Sequence, residues 1–401
     1  MPAKKPPEKG CLLVTNKFPP AVGGSSQVYA AIAEYADGNV AVLTSTHDHE
    51  TGLERPGWKA FDREADYPIH RLQFIRPVLG KVDSRPKLLS RAAEILIAIN
   101  LATAVALLAW RYRVSAICIA DDETAGWLTF ISKYILRCRT LIYCHGDDLR
   151  CARKSAIRRR RWLRLAENII AANLYAETLL IKVFDIAKDK IVLIRNGVNL
   201  ATFYPAPPSI SFTEHYGLID KRVLLTVARL VPRKGIDKTL EALPAVAKLF
   251  PNLVYLIVGD GPQRTTLLAM AQKLGIANLV KFVGSVEHCE TRQFYNAAEI
   301  VLHPNRVEEG EEDGLPLVFL EANACGKPVI GGAAGGTAEV VANDENGIIV
   351  DGRNVMEIEA AICTLLSNDK LREAMSQKGL LMARDWGWES RVKMFMATCR
   401  K

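Results

Sequence analysis

Four stretches carry residues whose types and spacing could do chemistry. ARLVPRKG (228–235) follows an apolar run, so Arg229 and Lys234 lie at a turn beyond a strand end. Two fixed cations there can hold a diphosphate and stabilise the charge that grows on it as it leaves. The same residues also suit an ordinary solvated basic loop. EDGLPLVFLEANACGKPVIGG (312–332) separates Asp313 from Glu321 by seven residues, with Gly314 and Pro316 in the turn before a helix. A carboxylate early in that helix can accept both hydroxyls of a ribose. In AAGGTAEVV (333–341), Gly335, Gly336 and Thr337 precede another helix, where backbone N–H groups can cradle an anion. Nearer the N-terminus, PPAVGGSSQ (19–27) puts Gly23 and Gly24 between a strand and a helix, which suits either a second anion cradle or a plain turn. HGDDL (145–149) puts His145 at a strand end; Asp147 and Asp148 are adjacent, diverge, and have no third ligand nearby, so no metal site is expected.

The elements that must position these residues alternate. Apolar runs at 11–16, 40–45, 114–120, 140–146, 167–173 and 190–197 are separated by helical sequence, which predicts a parallel sheet with helices on both faces. The pattern restarts at 222–230 and continues at 254–262, 280–286, 299–305, 327–332 and 347–352. YPAPPS (204–209) is a stiff connection between the two halves. The expected fold class is therefore α/β, with two Rossmann-like, doubly wound domains facing a central crevice: 1–203, joined by a C-terminal helix of about 386–401, and 210–385. Ligands in such sheets bind beyond the carboxyl ends of the strands.

Bulk properties narrow the class. The chain has 401 residues and 49% hydrophobic residues, enough for two cores. Its nine cysteines show no CxxC spacing and the N-terminus has no apolar segment, so a cytoplasmic protein with reduced thiols is expected. The apolar stretch from Ile95 to Trp110 is short, carries Asn100, and is read as a buried helix. Residues 1–200 carry 30 Lys/Arg against 20 Asp/Glu, and eight of those cations fall in Arg150–Arg164. That segment is either a solvated helix face or a contact with anionic lipid, with Trp162, Leu163 and Leu165 dipping in and the protein peripheral on the inner face of the membrane. No base-reading motif accompanies the charge, so nucleic acid is not an expected partner.

The order of motifs resembles the family 4 retaining glycosyltransferases: VGGSSQ, HGDD, IRNGVN with Phe203, ARLVPRKG, IVGDGP, D-x7-E, GGTAE and NGIIVDG. The likeness covers essentially the whole chain. It implies a GT-B fold and a nucleotide-diphosphate sugar donor held mainly by the second domain. It implies Glu321 on the ribose, Arg229 and Lys234 on the diphosphate, and His145 and the Gly23–Gly24 loop near the transferred sugar. Asn196, Gly259, Gly261, Pro316, Leu317, Gly335, Gly336 and Thr337 complete the donor site that the resemblance implies. Asp313 stands where the family has Glu and is one methylene shorter; with His145, Arg229 and Lys234 it makes the catalytic set. No cofactor and no essential metal is implied.

The implied reaction is a metal-independent front-face substitution onto a glycan or lipid-linked acceptor. The 312–332 ending, with GGTAE, resembles the mannosyl-transferring branch and favours GDP-mannose over a UDP-sugar. Two other readings stand: another sugar enzyme of this fold, an epimerase or a phosphorylase, and a catalytically degenerate nucleotide-sugar-binding protein.

Overall fold

The computed structural model describes residues 10–400 apart from Val22, 78–86, 147–148 and 150–152. The chain divides into two compact units, one running to Asn196 and taking in Trp388 onward, the other Gly197–Gly387.

The first unit is a seven-stranded sheet of β1 (Cys11–Val14), β2 (Val40–Ser45), β3 (Ile69–Leu72), β4 (Ala116–Ile119), β5 (Arg139–Cys144), β6 (Asn168–Ala171) and β7 (Ile191–Leu193). Every pairing is parallel and the order is β3-β2-β1-β4-β5-β6-β7. Val14 lies beside both Leu43 and Ile119, so the chain leaves β1, β2 and β4 at one edge of the sheet. The strand order reverses between β1 and β4, and a ligand site in such a sheet lies beyond the carboxyl ends at that reversal. β1, β2 and β4 are buried throughout, as continuous apolar runs in a two-faced sheet must be. β3, with sequence IHRL, is half-buried and lies outside the expected strands: it is an edge strand, and its charged residues hide the apolar pattern.

The second unit repeats the design with six strands: β8 (Arg222–Val227), β9 (Leu253–Val258), β10 (Val280–Gly284), β11 (Ile300–His303), β12 (Val329–Gly332) and β13 (Gly347–Val350). The order is β10-β9-β8-β11-β12-β13, again all parallel, with the reversal between β8 and β11. The proline-rich stretch 204–209 belongs to this unit: Asn296 holds it through Tyr204 O (3.1 Å) and Ala206 N (3.0 Å). The helix Trp388–Arg400 buries Trp388, Val392, Phe395 and Cys399 in the first unit.

Two helices of the first unit differ from expectation. Lys87–Tyr112 is not a buried helix. Only 22% of an 18-residue apolar window within Arg91–Tyr112 is buried, and this is the one helix among the described residues long and apolar enough to cross a membrane. In Arg153–Leu165, two of the three residues expected to dip into lipid face inward: Leu163 is fully buried and Trp162 packs on the core, while Leu165 is half-buried. Arg159 is also fully buried, its guanidinium 5.6 Å from the Phe184 ring centre. Arg158, Arg161 and Arg164 remain exposed; Arg150–Cys151–Ala152 lies outside the described residues.

Candidate active site

At the β8/β11 reversal, the 3-10 turn Pro232–Lys234 and the loop after His303 converge on Asp313. Lys234 Nζ donates to both carboxylate oxygens of Asp313, at 2.8 and 2.9 Å, and Arg233 Nε donates to Oδ1 at 3.1 Å. His303 Nε2 lies 2.9 Å from Oδ2. Burial lowers the His303 pKa and the Lys234 charge adds to that, so the imidazole is neutral and Nε2–H is the donor. Burial alone would raise the Asp313 pKa; Lys234 and the His303 hydrogen bond outweigh it and hold the carboxyl far below its usual range. Asp313 is therefore an ionised anchor for two cations. The expected sugar contact meets a physical obstacle: each carboxylate oxygen already accepts from two donors, Lys234 and Arg233 on Oδ1, Lys234 and His303 on Oδ2. Arg229, on the same loop as Lys234, is exposed and without a side-chain partner among the described residues.

Three of the four acids before Asp313, Glu308, Glu311 and Glu312, are spent on the protein itself. Glu308 accepts from Arg306 Nε (2.7 Å), and Arg306 in turn grips Asp237 (2.8 and 3.0 Å). Glu311 pairs with Arg233 at 3.1 Å, and Glu312 Oε2 accepts from Gly335 N at 3.1 Å. That last bond bears on the expected anion cradle. Gly336 N donates to Gly314 O at 2.6 Å, and the Thr337 hydroxyl bridges Asn305 Oδ1 and Ala334 O. The N–H groups of this turn thus have protein acceptors, and the helix that follows, Thr337–Val340, is a single turn. Gly335 and Gly336 are needed for close approach, since a Cβ on either would overlap the carbonyl of Asp313 or Gly314. Gly259 and Gly261 act in the same way: a Cβ there would strike Ala228 O or Leu230 O, so they let the β9 loop support the loop that carries Arg229.

Glu321 lies within the helix Leu317–Ala324, whose start is set by Pro316 at the N-cap and Leu317 as its first residue. It is 7% exposed; Tyr295 Oη donates to Oε2 at 2.7 Å and His288 Nε2 to Oε1 at 2.8 Å. Burial pulls the His288 pKa down, but the Glu321 charge overcomes it and raises it above the usual range. Phe203 stacks edge-on to His288, with ring centres 5.1 Å apart. Each Glu321 oxygen keeps a lone pair for a further donor.

In the first unit, Gly23 caps the helix Gly24–Glu34 at φ 149, a conformation only glycine adopts readily, and no described atom lies within 4 Å of where its Cβ would be. His145, at the end of β5, is 8% exposed, and its Nε2 lies 3.0 Å from the hydroxyl of Tyr29 on that helix. Asn196 is buried, with Oδ1 3.5 Å from Tyr143 Oη. Asp147 and Asp148 lie outside the described residues. Sequence reasoning missed Arg233, His303, Tyr295 and His288. It also missed Asn16, Ser26 and Thr44, buried polar side chains at or near the β1 edge without hydrogen-bond partners among the described residues. For His303 and Asn16 the available signal was a polar residue ending an apolar strand, as in IVLH and LLVTN.

Comparison with known proteins follows this division. Residues 22–202 match the model of Glycosyltransferase Family 4, and 214–382 that of Glycosyl transferases group 1. A GDP-mannose-dependent alpha-(1-6)-phosphatidylinositol monomannoside mannosyltransferase of Mycobacterium tuberculosis is 30% identical over 94% of this chain and 95% of its own. The protein of the same description from Mycolicibacterium smegmatis is 29% identical over 95% of each. Among solved structures, Anabaena HepE in complex with UDP and glucose superposes with TM-score 0.79 at 19% identity, covering 98% of this chain and all of that one; this likeness concerns the fold. The chain is a GT-B glycosyltransferase and belongs to the family 4, group 1 glycosyltransferases.

Proposed function

We propose that the protein transfers mannose from GDP-mannose to a lipid-linked acceptor, with retention of anomeric configuration and without a metal. The observation that carries the donor and acceptor is the likeness, along nearly the full length of both chains, to mannosyltransferases described as GDP-mannose-dependent and acting on phosphatidylinositol monomannoside. The cation group of the second unit supports the metal-free reading, because Arg229, Arg233 and Lys234 supply fixed positive charge where a diphosphate would depart.

In this reading Glu321 accepts the ribose hydroxyls. The C1–O bond to the diphosphate breaks while an acceptor hydroxyl closes on C1 from the same face, and the departing diphosphate oxygen takes the hydroxyl proton. Asp313 positions Lys234; it is not a sugar contact. His145, held by Tyr29, orients the sugar near the Gly23–Gly24 loop. The acceptor is drawn from an anionic membrane surface, which the exposed Arg158, Arg161 and Arg164 can meet, and the protein works there as a peripheral enzyme of the cytoplasmic face.

The test is incubation with GDP-mannose, UDP-glucose or UDP-mannose and phosphatidylinositol monomannoside in vesicles, with and without EDTA, reading the product's anomeric proton by NMR. An α-mannoside formed from GDP-mannose alone, unchanged by EDTA, is the expected result. Transfer from a UDP-sugar, a β-product, or loss of turnover in EDTA restored by magnesium overturns the corresponding part.

A further inference from the structure

The helix Lys87–Tyr112 is apolar on two faces. At about 100° per residue, Leu101, Val105, Leu108, Ala109 and Tyr112 occupy an arc of roughly 100° and are all buried in the first unit's core. Ile95, Leu96, Ile99, Leu107 and Trp110 occupy a separate arc of roughly 120° and are 57–81% exposed. Large apolar side chains scattered singly on a surface need no explanation, but a stripe along one helix does, broken here only by Thr103, whose hydroxyl donates to Ile99 O (2.9 Å).

The helix is long enough to span a bilayer, yet its other face is fastened to the sheet: Val105 is 0% and Leu101 1% exposed. Spanning would tear that face from the core, whereas lying flat costs nothing inside the protein. The charges suit the flat arrangement. Arg91 stands near one end of the stripe, Arg111 and Arg113 at the other, all exposed, against one acid, Glu94. Cations flanking an apolar stripe match an anionic headgroup layer, with apolar side chains reaching the acyl boundary and guanidinium groups held at phosphate level.

We infer that this helix is the bilayer-docking surface of the protein: Ile95, Leu96, Ile99, Leu107 and Trp110 insert into an anionic membrane. The inference rests on the reading that the acceptor is lipid-linked, and it moves the principal contact away from Arg153–Leu165, whose Trp162 and Leu163 are committed to the core.

The test is flotation with vesicles of phosphatidylglycerol and phosphatidylcholine, comparing wild type, Leu96→Glu/Leu107→Glu and Arg158→Ser/Arg161→Ser. All substituted side chains are exposed, and circular dichroism checks folding. Wild type should float, and part of that binding should survive 0.5 M salt, because apolar insertion is not screened. The double Glu variant should bind at least about tenfold more weakly at either salt, and the double Ser variant should lose only a salt-sensitive fraction. Transfer to acceptor in vesicles should fall with binding in the Glu variant, while transfer to the deacylated, water-soluble acceptor stays at wild-type level. Flotation of the Glu variant equal to wild type, wild type remaining at the bottom of the gradient, or a wild-type dimer that the Glu variant abolishes would each overturn the inference. Absence of any transfer with vesicle binding intact would instead count against the proposed reaction alone.

Discussion

The carboxyl edges of the two sheets differ in chemistry although their strand patterns match. In the second unit, the loop after β8 and the end of β11 bring Arg233, Lys234 and His303 each within 3.1 Å of Asp313, and Glu321 sits in its own network with Tyr295 and His288. In the first unit the corresponding edge carries His145 against Tyr29, buried Asn196, and Asn16, Ser26 and Thr44, whose buried side chains have no hydrogen-bond partner among the described residues. The second unit's edge is organised around formal charge; the first unit's mixes these neutral donors and acceptors with ion pairs, Arg76–Asp121 (3.6 Å) after β4 and Arg71 of β3 with Asp62 (2.8 Å). The doubly wound fold fixes where a ligand goes; the side chains fix what kind. A nucleoside diphosphate needs the first kind of edge and a neutral sugar the second.

If this contrast governs function, the largest effect belongs to the charged edge. Lys234→Ala should lower kcat by roughly a hundredfold or more, as loss of a group that stabilises departing charge does, with a much smaller change in donor affinity. Equal losses in kcat and donor binding would assign Lys234 to ground-state binding. Next, Asp313→Asn removes the carboxylate that compensates two partly buried cations, and stability should fall by about 2 to 3 kcal/mol in denaturant unfolding, since both cations recover some hydration. Undiminished stability with lost sugar affinity would restore Asp313 as a direct sugar contact.

A smaller effect follows pH. His288 has its folded-state pKa raised by Glu321, so the pair stabilises the fold fully below the unfolded imidazole value of about 6.5 and loses that contribution as pH rises through the raised folded value. The melting-temperature gap between wild type and His288→Gln should therefore be widest near pH 6 and narrow toward pH 9. A gap that widens with pH would contradict the pairing. Smallest is the neutral edge: Tyr29→Phe removes one hydrogen bond to His145, worth about 1 kcal/mol, and should leave GDP affinity untouched while slowing transfer. Weakened GDP binding in that variant would break the contrast between the units.

Much of this was legible in the sequence, because continuous apolar runs separated by helical segments have few interpretations, and all six expected strands of the second unit are present. Residues whose role depends on partners distant in sequence were harder to read. Arg233 looks like a solvated neighbour of Lys234 until Asp313, 80 residues on, closes against it. A glycine turn before a helix reads the same whether its N–H groups face a ligand or, as at Gly335 and Gly336, a carboxylate and a carbonyl. The 87–112 helix misled for a related reason: apolar content says nothing about which face is covered. In Arg153–Leu165, a run of arginines gave no sign that Arg159 is buried against Phe184.

The claim that the second unit holds the nucleotide is tested most directly by calorimetric titration of GDP into wild type, Glu321→Ala and Tyr29→Phe. The account predicts that Glu321→Ala binds roughly tenfold to a hundredfold more weakly, because two ribose hydroxyls lose a charged acceptor, while Tyr29→Phe binds as wild type does. A folded Glu321→Ala protein with wild-type GDP affinity would contradict it.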